Sequence, residues 1–125
     1  MTCYDLIGLP YRLGATPEKH GAADCLSLAR TVLQLQGFDP PPVERGWYRR
    51  LYRGDYTVFP EQLERYCVKA LSPNIGVIAL CTSEKGYGMA SFFDNGWLCF
   101  VESAVTWKPL GALEVVDLYY LSKYS

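Results

Sequence analysis

Between residues 25 and 33 the apolar side chains Cys25, Leu28, Ala29, Val32 and Leu33 recur at the i, i+3, i+4, i+7, i+8 spacing that lines one face of a helix. The pattern predicts a helix buried along that face. Asp24 suits its N-cap, and Gly37 suits the left-handed position just past its end. A second stripe, Leu63, Tyr66, Cys67 and Ala70, predicts a helix over residues 60–71, with Pro60 in its first turn. On this reading Cys67 is a mid-helix core residue, and Glu61 and Arg65 form an i, i+4 ion pair on the wet side.

Ahead of these helices, Tyr4, Leu6, Ile7 and Leu9 fit a short first helix that Gly8 and Pro10 bring to a stop. Residues 38–42 contain Pro40, Pro41 and Pro42 in a row, which prohibits helix and favours a stiff extended connection. Residues 43–57 have no clean period and read as irregular or as a short helix. From residue 75 the texture changes to β-branched and aromatic positions broken by turn signals, which predicts strands at 75–81, 87–93, 97–102 and 114–121. Asp94-Asn95-Gly96 is a hairpin signal, because residues there tolerate the positive φ of a tight primed turn. Helices followed by one antiparallel sheet is an α+β order, and we read residues 1–125 as a single domain.

Composition narrows the function. A chain of 125 residues that is 50% hydrophobic can bury a real core. The formal net charge is -1 and the basic residues are scattered, so neither nucleic acid nor an anionic membrane is expected as a partner. One local cluster, Arg45, Arg49, Arg50 and Arg53, is interleaved with Trp47, Tyr48 and Tyr52; it reads as a solvated amphipathic turn or a protein interface. No charged n-region precedes an apolar stretch, so no signal peptide is expected, and no apolar run is long enough for membrane insertion. The five cysteines show no C-x-x-C pair, and His20 is the single histidine. Reduced thiols are expected, with no metal and no cofactor.

The position of Cys25 is the chemical signal. A helix start gathers unsatisfied N–H groups and about half a positive charge, which favours thiolate over thiol. The surrounding sequence, Gly8-Leu9-Pro10-Tyr11-Arg12-Leu13-Gly14 followed by Asp24-Cys25-Leu26-Ser27-Leu28, resembles the opening of the NlpC-type papain-like cysteine peptidases, which cut peptidoglycan stem peptides. Their pattern is roughly G-x-P-Y-x-x-G-G, a loop, then D-C-x-G-L. Here Ala15 replaces the second loop glycine and Ser27 stands where glycine is usual. Segments 72–80, 97–103 and 115–121 follow the order and texture of the family's strands, and 105–110 that of the V-x-x-x-x-L stretch that follows one of them.

The resemblance implies a papain-like fold in which the cysteine helix packs on an antiparallel sheet. It also implies Cys25 at the nucleophile position, with Tyr11 and Asp24 at positions that bind the amino end of a peptide. The family's catalytic histidine falls at Tyr87 or Gly88, and its orienting residue near Cys99. A phenol, with a pKa near ~10, is a poor base at neutral pH. His20 lies in the loop before Cys25 and would have to fold back to serve as a substitute; Glu84 and Lys85 are the other groups able to approach. The lost base is typically worth ~10²–10⁴ in rate, more than a helix dipole returns.

The expectation is therefore an inactive member of the family. It would be a structural or assembly component of a bacteriophage tail or baseplate, located in the virion or in the cytoplasm of the producing cell, with other proteins of that assembly as partners. Two alternatives stand beside it. One is an active endopeptidase or amidase on peptidoglycan peptides; the other is a non-catalytic peptide-binding module.

Overall fold

The computed structural model describes residues 1–84 and 86–121. Lys85 lies outside them. The described chain is mixed α+β, with a short 3-10 turn, four helices and a six-stranded antiparallel sheet.

Cys3–Leu6 forms the 3-10 turn where a short helix is expected. Pro17–His20 (α1) is a single helical turn, and Cys25–Leu35 (α2) is the cysteine helix. Its start is fixed by a reciprocal cap. The Ser27 N–H donates to Asp24 Oδ1 and the Asp24 N–H donates to Ser27 Oγ, both at 2.9 Å, so Ser27 does the work of the glutamate in a capping box. Gly37 takes φ +93° just beyond the end, as its position predicts. The proline run stays extended, with its carbonyls facing α2: Arg30 Nε donates to the Pro41 carbonyl at 2.9 Å.

Within residues 43–57 the short-helix alternative is the one that forms, since Arg45–Tyr52 (α3) is helical and buries Trp47 and Leu51. Val58–Tyr66 (α4) begins two residues before Pro60, which costs little, since the first four N–H groups of a helix have no internal acceptor. It ends four residues after Gln62, and the expected continuation to residue 71 does not form. Instead Cys67–Lys69 (β1) turns extended and pairs with the last strand, Cys67 opposite Leu121. Cys67 is thus half-buried at a sheet edge rather than mid-helix, because ladder bonds to a partner strand outweigh a stripe only four positions long. The Glu61–Arg65 pair does not form either. Glu61 bonds to Arg50, and Arg65 reaches both carboxylate oxygens of Glu44 at 2.9 Å.

The remaining strands are Val77–Ser83 (β2), Gly86–Phe93 (β3), Gly96–Val101 (β4), Ala104–Pro109 (β5) and Val115–Leu121 (β6), in the sheet order β1-β6-β2-β3-β4-β5. The Asp94-Asn95 turn is the expected primed hairpin, at φ 50° and 56°. A second tight turn, at Glu102 and Ser103 with φ 51° and 73°, joins β4 to β5, a strand outside the expected set. Glu-Ser carries no hairpin signature, which is why β5 was illegible. Gly96 is needed for a different reason. A Cβ there would lie 2.4 Å from the Lys108 carbonyl oxygen and from the Trp107 indole, whose Nε1 donates to the Phe93 carbonyl at 3.0 Å.

Helices α2, α3 and α4 cover one sheet face, where Leu26, Leu33, Trp47, Leu63, Leu80 and Met89 belong to one buried cluster. The far face buries Val77, Ala79, Cys81, Phe92, Trp97 and Cys99. The outer edge of β5 is strapped by residues 8–11, with the Gly8 N–H donating to the Val105 carbonyl at 2.8 Å and the Tyr11 N–H to the Ser103 carbonyl at 2.7 Å. This strap carries Tyr11 to the start of α2.

Candidate functional site

The site is a cleft of about 630 Å³ at the N-terminal end of α2, bordered by Cys25, Tyr11, Tyr56, Tyr87, Met89 and Phe100 among others. Cys25 is the first residue of its helix and half-buried. Burial pushes its thiol up to about 12, the Asp24 carboxylate pushes the same way, and a hydrogen bond from the Met89 backbone opposes both. The half-charge of the helix start, worth up to about 1 kcal/mol, would lower the value by less than one pH unit. Burial wins. At pH 7 the thiolate is then on the order of 10⁻⁵ of the population.

Tyr87 does line the cleft. Alternation along β3 puts it on the same face as Met89, against the cluster that includes Cys25. Tyr11 also lines it, its ring meeting Phe100 edge-on at 5.1 Å, and burial pushes its hydroxyl up to about 12 with Cys25 and Asp24 nearby.

Three expected residues are placed elsewhere. Cys99 sits opposite Thr106 on β4 and packs in the far-face cluster with Trp97 and Cys81, so it borders the cleft from the wrong side of the sheet to orient a base beside Cys25. A strand's two faces alternate, so Cys99 turns away from the face that carries Phe100 and Leu98. His20 is exposed and ends α1, where its Nδ1 accepts the Thr16 N–H at 3.0 Å; it does not border the cleft. Asp24 is 1% exposed and does not border the cleft either. Its carboxylate accepts the Gly14 N–H at 2.7 Å and the Ser27 N–H at 2.9 Å, and its charge acts on the Tyr48 hydroxyl. A carboxylate so occupied holds the loop to the helix start rather than a ligand.

Tyr48 and Tyr56 were not singled out by sequence. Tyr48, raised well above the usual phenol range by burial and by the Asp24 carboxylate, would have been found had Trp47, Tyr48 and Leu51 been read as one helical face. Among the described residues no group of three His, Cys, Asp or Glu side chains is placed to hold a metal ion. No described helix is long and apolar enough to cross a membrane. Compared with protein families, curated proteins and solved structures, the chain matches none.

Proposed function

We propose that this chain is a non-catalytic domain of NlpC-type, papain-like ancestry that serves as a binding or assembly component, with a bacteriophage tail or baseplate as its setting. The observation that carries the reading is the environment of the Cys25 sulfur. It is a half-buried thiol close to Met89, with the one imidazole of the chain engaged by Thr16 instead. Acyl transfer needs a base to take the thiol proton and an acid to return it to the leaving amine. The setting rests on the likeness of the opening segment, where residues 8–14 and 24–28 follow the family pattern, and the abundance of tyrosine suits protein contacts.

Two measurements test the reading. Purified cell walls incubated with the protein are expected to release no muropeptides; release that disappears in Cys25→Ala would restore the peptidase reading. Alkylation of Cys25 by iodoacetamide is expected to be slow at pH 7 and to rise about tenfold per pH unit towards pH 12. A plateau reached below pH 8 would mark an activated thiolate.

A further inference from the structure

The sheet is split inside its own fold. Strands β3 and β4 pair only at Ser91–Leu98, Phe92–Trp97 and Phe93–Gly96, although β2 holds β3 as far as Gly86 and β5 holds β4 as far as Val101. Beyond Ser91 and Leu98 the two hairpins part, and the cleft occupies the opening. In an antiparallel ladder every second residue turns its N–H and C=O towards a given neighbour. Phe93, closing the two-residue turn, faces β4, and so therefore do Ser91, Met89 and Tyr87; on β4 the matching residues are Gly96, Leu98 and Phe100. Tyr87, Met89 and Phe100 thus present main-chain groups to the split.

The chemistry of the walls selects an occupant. The rings of Tyr11, Tyr56, Tyr87 and Phe100 line the split, Glu84 and Glu102 stand at the turns of its two hairpins, and no basic side chain borders it among the described residues. Aromatic faces and carboxylates favour cations.

We propose that the split accepts an extended segment of a partner protein by strand addition to the Tyr87–Met89 edge of β3, with lysine or arginine side chains of that segment set between the rings and the two glutamates. The inference rests on the non-catalytic reading and names the partner it binds. Main-chain bonds would supply affinity and the alternate side chains selectivity.

The test uses the whole protein and a labelled, acetylated and amidated peptide of alternating lysine and valine. Fluorescence anisotropy is expected to show binding that weakens about tenfold or more when the peptide's alternate amides are N-methylated. Replacing Glu84 and Glu102 together by glutamine is expected to weaken binding about threefold or more. Hydrogen exchange is expected to slow at the Tyr87 and Phe100 amides when the peptide is added. No binding, binding indifferent to N-methylation, or protection confined to the arginine-rich face of α3 each overturns strand addition and leaves the non-catalytic reading standing. Cleavage of the peptide that Cys25→Ala abolishes overturns the non-catalytic reading instead, whatever the exchange data show.

Discussion

Removing the Tyr48 hydroxyl tests whether the site's architecture is held by the Asp24 carboxylate. The Asp24 carboxylate is 1% exposed, accepts the Gly14 and Ser27 amides and pushes up the Tyr48 hydroxyl on α3. A hydrogen bond to a charged group is worth about 1.5–3 kcal/mol. Because the carboxylate keeps both amides in Tyr48→Phe, the loss should fall below that range, about 0.5–1 kcal/mol. Asp24→Ala is harsher. It removes an N-cap worth ~1 kcal/mol and leaves the part-buried Gly14 N–H without its acceptor, at about 1–3 kcal/mol, for a total of roughly 2–4 kcal/mol. Against a typical stability of about 5–15 kcal/mol, that variant gives up a large share. Urea titration followed by circular dichroism measures both. With a slope of about 1–3 kcal/mol/M, Tyr48→Phe should lower the midpoint by roughly 0.5 M. The reasoning is refuted if Tyr48→Phe leaves the midpoint unmoved and Asp24→Ala costs no more than an exposed cap. A double variant that loses the sum of the two single losses would refute the coupling between them.

Other outcomes follow from the same geometry. Gly96→Ala should lose about 1–3 kcal/mol in the same titration, because its methyl group meets the Lys108 backbone and the Trp107 ring at 2.4 Å. Gly46→Ala should gain ~0.5–1 kcal/mol, since Gly46 is an exposed position inside α3 with nothing within 4 Å of the added carbon. Stability should also fall on the alkaline side. Burial pushes Cys25, Cys67, Cys81 and Tyr11 all up to about 12, so each favours the folded state in its neutral form. That contribution is whole below the unfolded thiol and phenol values and drains away as pH climbs from about 9 through about 12; an unfolding midpoint constant across that window would contradict it.

The sequence made the cysteine helix legible because periodicity, cap and terminal glycine agreed over residues 24–37. The Asp94-Asn95 hairpin was legible for the same kind of reason, a turn whose φ demands few residue pairs meet. What stayed hidden depended on partners distant in the chain. Cys67 leaves its helical stripe only because β6 offers it a ladder at Leu121. The Glu102-Ser103 turn forms with residues that do not ask for positive φ, held by the strand pairing on either side of it. Within the site, Cys25 and Tyr87 were placed together by family likeness, and the cleft contains both. The facing of Cys99 turned on a single step of register, which texture alone does not resolve. Asp24 was visible as a cap and also as a ligand-binding position, and the saturation of its oxygens separates the two roles.

The strap of residues 8–11 has a kinetic consequence. Tyr11 is anchored by the carbonyl of Ser103, more than ninety positions along the chain, so closing that contact carries one of the largest loop-closure costs in the molecule. Local hairpins and helices can form before it, but the wall of the cleft that Tyr11 supplies cannot be in place until β5 exists to receive it. The cleft is therefore among the last parts of the molecule to mature.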